Sequence, residues 1–88
     1  MDAEKFGAFI SQCRKEKQMT QAELAARLQV TDKAVSRWER GIGFPDISTI
    51  EPLADALDIS VVELMKSEKS VATELSKEEA AQAVSDTL

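Results

Sequence analysis

Six polar side chains crowd into nine consecutive residues, DKAVSRWER, from Asp32 to Arg40. Placed at about 100° per residue from Asp32, Ser36 falls at about 40°, Arg40 at about 80°, Lys33 at about 100° and Arg37 at about 140°. One face of a short helix therefore offers three cationic donors, a hydroxyl and, at its start, a carboxylate. Ala34, Val35 and Trp38 fall roughly between 200° and 300° and turn inward on the same reckoning, with Glu39 at the edge of that buried face. A polar outer face is ordinary on a short helix. The pattern alone reads as either a solvated exterior or a hydrogen-bonding surface held out to a partner.

Other chemistry has little material. The chain has no His and a single Cys13, so no internal disulfide and no zinc site of ordinary ligand spacing is expected, and a reducing cytoplasm suits it. Neither a convergent acid and base pair nor a Gly-rich phosphate loop is present, so neither an enzyme nor a cofactor is expected. No apolar run approaches the roughly 20 residues that span a bilayer, and the first residues carry Asp2 and Glu4 rather than a basic start, so no targeting or membrane segment is read.

The elements that must position this face announce themselves by capping signals. Ser or Thr followed three residues later by Glu occurs at Thr20/Glu23, Ser48/Glu51, Ser60/Glu63 and Ser76/Glu79, a spacing that lets side chain and backbone cap each other at a helix start. Thr31 opens a further helix without the Glu, and Phe6, Phe9, Ile10 and Cys13 recur at helical spacing ahead of the first box. These signals predict helices over 3–17, 21–28, 32–40, 49–57, 61–66 and 77–86. Nothing alternates over enough residues for a sheet, so the fold class is all-α. Gly41, Gly43 and Pro45 end the third helix, and Pro52 sits about one turn inside the fourth, where few backbone donors have partners. The chain's 88 residues, 43% hydrophobic, suit one domain, read as 1–66 followed by a tail, 67–88.

Only a few residues separate the second and third helices, and none is glycine. Leu24, Ala25 and Leu28 turn inward on the second, and its small Ala22, Ala25 and Ala26 admit a close partner. A turn that tight makes the two cross steeply and leaves the second of the pair projecting, a helix-turn-helix. The major groove of B-DNA, about 12 Å wide, admits such a helix. The charge distribution agrees. The net charge is -5, but residues 14–40 hold seven basic and four acidic side chains, whereas residues 41–88 hold three basic and ten acidic ones.

From about Phe6 to Met65, through MTQAELAARLQVTDKAVSRWERG, PDISTIEPLADAL and ISVVEL, the sequence resembles the Xre-type or phage-repressor-like helix-turn-helix regulators. The resemblance implies a five-helix repressor-like bundle whose second and third helices bind double-stranded DNA, usually as a homodimer on a two-fold related operator. It places Asp32, Lys33, Ser36 and Arg37 at the positions that face base edges. Arg37 is suited to bidentate pairing with guanine. Lys33 suits either guanine or a phosphate, and Asp32 either accepts from cytosine N4 or supports the helix N-terminus. Gln21 and Thr31, Arg40 and the backbone from Gly41 to Gly43 match contacts to the DNA backbone, which position without specifying sequence. Arg14 and Glu39 align with an ion pair between the first and third helices, while Trp38 reads as a core anchor and Cys13 as a small hydrophobe.

Two features depart from the family pattern. Gln29 stands where the turn usually has a Gly in the left-handed region, at a cost of about 1 kcal/mol or more, and the acidic second half is expected to face away from DNA. The tail lies beyond the resemblance. Its thin apolar stripe of Leu75, Ala80, Ala83, Val84 and Leu88 suits an additional helix packed on the bundle, a pairing with a second chain, a lead into a further domain, or a frayed end. Val62 beside Leu64 and Met65 is a second candidate dimer surface. The runner-up function is a protein-interaction or antitoxin-like adaptor module with the same fold, for which the acidic Asp32 among the bases is the argument.

Overall fold

The computed structural model describes residues 2–69, which form five helices and no strand. They are α1 (Ala3–Glu16), α2 (Gln21–Leu28), α3 (Asp32–Glu39), α4 (Ile47–Leu57) and α5 (Val61–Lys66). The expected helix over 77–86 and the Ser76/Glu79 pair lie outside the described residues.

Side-chain caps start four of the five. Thr20/Glu23 and Ser60/Glu63 form reciprocal capping boxes, Thr31 accepts from the Ala34 N–H at 3.1 Å, and Asp2 accepts from the Glu4 N–H at 3.0 Å. The exception is α4. It begins at Ile47, two residues before the expected start, with Asp46 preceding it and giving no side-chain cap. The Asp46 carbonyl accepts the Thr49 N–H at 2.8 Å, which carries the helix back past Ser48 and leaves that hydroxyl inside the first turn, where it cannot cap. Pro52 thereby becomes the sixth residue of α4 rather than part of a free first turn, and its ring withholds the donor that the Ser48 carbonyl would otherwise meet.

All five helices end alike. The residues just beyond them, Gln18, Gln29, Gly41, Asp58 and Ser67, have φ between 57° and 76°. At each end the next residue's N–H reaches back to a carbonyl five positions earlier, as Val30 does to Ala25 at 3.0 Å and Ile42 to Arg37 at 3.0 Å. Paired with the shorter bond from the left-handed residue itself, this is the Schellman arrangement, which satisfies the last free carbonyls. Only one of the five positions is glycine. The left-handed turn expected at Gln29 is therefore made by glutamine, with φ 57° and ψ 42°.

Phe6, Ile10, Leu24, Val35, Leu53, Leu57 and Leu64 are fully buried, joined by Cys13, Met19, Ala25, Trp38 and Ala54. Every helix contributes, so α1 packs on α3 and α5, and α2 lies between α3 and α4. The close approach of α2 is made at Ala25; Ala22 and Ala26 are exposed, contrary to the expectation that all three would serve it. Leu28 is half-buried against the core. The start of the tail returns over α1: Ser67 is buried, Lys69 Nζ meets Glu16 Oε1 at 2.6 Å and Lys5 Nζ lies 3.6 Å from Glu68.

Candidate nucleic-acid interface

Residues 29–31 are the whole connection between α2 and α3. Gln29 turns the chain, Val30 tucks against the core and Thr31 caps the next helix. The inward side of α3 is then anchored by Val35, fully buried, and by Trp38 at 7% exposure. That places the indole in the core, as its angular position required, and not on a base-stacking surface.

With the inward side fixed, the outward side carries Asp32, Lys33 and Arg37 exposed and Ser36 half-buried. Among the described residues, the side chains of Asp32, Lys33 and Arg37 form no hydrogen bond or ion pair. Other basic groups are occupied. Lys17 meets Asp58 at 3.1 Å, Lys69 meets Glu16, and Arg14 is bound to Glu39. Among the described residues Lys33 and Arg37 on α3 are uncommitted, as are Lys15, Arg27 and Lys66 elsewhere on the surface. Arg40, also exposed, bends its Nε back to the Ser36 carbonyl at 3.3 Å, closing the end of α3 while leaving its terminal nitrogens outward.

One buried node ties this face to the helices behind it. Glu39 Oε2 accepts from Arg14 Nε at 2.7 Å, and Oε1 accepts from Arg14 Nη2 and from Gln21 Nε2, each at 3.0 Å. Arg14 also donates from Nη1 to the Met19 carbonyl at 2.7 Å. The two side chains are only 10% and 6% exposed. Burial pushes the Glu39 pKa up, but the hydrogen bonds from Arg14, Gln21 and Ser11 and the Arg14 charge outweigh it and hold the carboxyl below the ordinary glutamate value. The same bond to Glu39 raises the Arg14 pKa further. The expected ion pair between α1 and α3 is present. The sequence reading did not find that Gln21 joins it. One amide hydrogen of Gln21 is thereby committed inward, and the half-buried side chain keeps a second for an outside acceptor.

Gly41 and Gly43 follow α3, both half-buried. Gly41 is left-handed at φ 76° and stacks on the first turn of α1, where an added Cβ would sit 3.0 Å from the Glu4 Cα; at Gly43 the same atom would meet nothing within 4 Å. Gly7, absent from the sequence-based site, proves to be the tightest point. A Cβ there would overlap the Trp38 carbonyl oxygen and lie 2.8 Å from that of Glu39. Its only sequence signal is a glycine inside an otherwise helical pattern. No helix among the described residues is long and apolar enough to cross a membrane.

Comparison with known proteins agrees with this geometry. Residues 10–64 match the family described as Helix-turn-helix. The HTH-type transcriptional activator BcrR of Enterococcus faecalis is 30% identical over 66 residues, 75% of this chain and 32% of that protein. The uncharacterized HTH-type transcriptional regulator YqaE of Bacillus subtilis is 34% identical over 65 residues, 74% of this chain and 56% of that protein. The chain thus spans about a third to just over half the length of these two relatives. Among solved structures, the master regulator for biofilm formation SinR, in complex with DNA, superposes with a TM-score of 0.63 at 36% identity, covering 68% of this chain and 97% of that one. The DNA-binding domain of the P22 c2 repressor does so at 0.68 and 32% identity, covering 75% and 87%. With that pattern matched across most of α1 to α5, the chain belongs to the Xre-type helix-turn-helix family.

Proposed function

We propose that this chain is a sequence-specific reader of double-stranded DNA, acting in the cytoplasm as a homodimeric, non-enzymatic transcriptional regulator, with α3 in the major groove. The observation that carries the reading is the outward face of α3, where Asp32, Lys33 and Arg37 stand exposed and uncommitted on a helix whose other side is locked into the core. Arg37 pairs with guanine O6 and N7, and Ser36 and Lys33 add donors beside it. Asp32 accepts from a cytosine or adenine amino group and disfavours bases that present only acceptors. Gln21, Thr31, Arg40 and the backbone of Gly41 to Gly43 hold phosphates on either side. The DNA complex of SinR supports this assignment by likeness.

Two apolar patches support self-association. Val61, Val62 and Met65 of α5 are exposed, and so are Ile42 and Phe44 between α3 and α4 and Ile47 at the start of α4, whereas Leu64 is fully buried and unavailable to a second chain.

Selection from a random duplex pool, followed by a salt series on the enriched site, tests the reading. A two-fold symmetric site whose affinity falls steeply with salt is expected. Arg37→Ala then relaxes the preference at one base pair in each half-site, by about 1–3 kcal/mol, while Arg40→Ala weakens all sequences alike. No enrichment by folded protein at low salt refutes DNA reading and leaves the protein-interaction module.

A further inference from the structure

We infer that Gly7 of α1 is a positioning residue for DNA reading, because it sets the tilt of α3 and hence which bases Arg37 reaches. The inference rests on the reading of α3 as the base-contacting helix.

The two ends of α3 are held differently. Its start is fixed by its own chain, through the Thr31 cap and the short turn from α2. Its end is fixed by α1, at three places. The Trp38 and Glu39 carbonyls lie against the bare backbone of Gly7, Gly41 rests on Glu4, and Glu39 is clamped by Arg14. At Gly7 the neighbouring atoms are backbone carbonyls and not flexible side chains. A methyl group there cannot be accommodated by a rotamer change, so the end of α3 must withdraw as a body from α1.

Withdrawal about a fixed start is a tilt, and a tilt is graded along the helix. An eight-residue helix is about 12 Å long at 1.5 Å per residue. If its end moves by about 1 Å, roughly the overlap to be relieved, Arg37 moves by about 0.7 Å and Asp32 by about 0.1 Å on the same geometry. Base-edge hydrogen bonds tolerate only a few tenths of an ångström about their optimum. Reading by Arg37 and Ser36 is therefore lost first, and reading by Asp32 and Lys33 is kept.

The experiment is a base-by-base affinity profile of Gly7→Ala on the selected operator, alongside Arg37→Ala and Asp32→Ala in the otherwise unchanged chain. The two α3 variants assign base pairs to their side chains. If neither shows a preferred pair, the reading of α3 itself has failed. If both do, Gly7→Ala is expected to reduce discrimination about fivefold or more at the Arg37 pair, the low end of what a bidentate contact confers, with little change at the Asp32 pair and an unchanged salt slope. A merely destabilised protein loses apparent affinity equally at all positions, because only its folded fraction binds. The profile is taken with an excluded osmolyte present, which favours the folded state. Gly41→Asn is the second variant, since asparagine tolerates the left-handed region while its Cβ pushes on Glu4. It is expected to give the same ordering, a larger loss at the Arg37 pair than at the Asp32 pair, read as the ratio of the two so that any uniform loss from the Gly41 backbone contact to phosphate cancels, and it carries the test should Gly7→Ala fail to fold. A flat profile, or a wild-type one, in whichever variant folds overturns the inference.

Discussion

Removing the Glu39 carboxylate is expected to cost this domain much of its stability. The group accepts hydrogen bonds from the Arg14 guanidinium, the Gln21 amide and the Ser11 hydroxyl, in a site where it and Arg14 are nearly covered. Deleting one member of a buried pair leaves the other charged and unpaired, at about 3–5 kcal/mol. Arg14 keeps one bond to the Met19 carbonyl, which argues for the lower end, about 3 kcal/mol in Glu39→Ala. A domain of this size has roughly 3–10 kcal/mol in total, so the variant is close to its folding limit. Urea titration followed by the fluorescence of Trp38, the single tryptophan, measures the loss directly. Two controls separate the pair from its surroundings. Arg14→Met with Glu39→Leu removes both charges and is expected to be more stable than Glu39→Ala, since an apolar pair of similar volume leaves no buried charge unpaired, although the Met19 carbonyl and the Gln21 amide each lose a partner. The pH dependence supplies the second. Because the Glu39 pKa is lowered in the folded chain, its contribution is fully present above the unfolded-state value and is lost as pH falls through the folded one. The gap between wild type and Glu39→Gln should therefore narrow on acidification below about pH 4.5, the ordinary glutamate value. A cost below about 1 kcal/mol for Glu39→Ala, the range of exposed pairs, or a gap that stays constant to pH 3, would refute the buried-clamp argument.

Two further substitutions probe the helix-turn-helix itself. Gln29→Gly relieves a left-handed glutamine and should raise stability by up to about 1 kcal/mol, measured as a higher urea midpoint, with operator preference unchanged because the turn keeps its shape. Thr31→Ala removes the cap bond to the Ala34 N–H and should cost about 1 kcal/mol; hydrogen exchange should quicken first at the start of α3, and an unchanged exchange rate there would count against the cap.

What was legible in the sequence was local or periodic. The Thr20/Glu23 and Ser60/Glu63 boxes are chemistry between residues three apart, and the two faces of α3 follow from 100° per residue, so both could be read without knowing the fold. Ser48/Glu51 shows the limit: the same letters fail to cap because the chain becomes helical earlier, at Ile47. The expected ends at 28, 57 and 66 are those of α2, α4 and α5, but the left-handed residue that closes each helix was legible only at Gln29 and Gly41. Yet Gln18, Gln29 and Asp58 are each followed by an apolar residue, Met19, Val30 and Ile59, that packs on or against the core. That burial offsets the left-handed backbone before it, and a polar residue followed by a buried apolar one is the signal that was available. The inter-helix contacts had none. Gln21 joins Glu39, and Gly7 receives the carbonyls of Trp38 and Glu39, only because the fold brings distant stretches together. The distinction matters for function. Which side chains α3 presents is set by its own sequence, but where it presents them depends on α1. Substitutions in α1, far from any base, are therefore expected to retune recognition while leaving the recognition residues untouched.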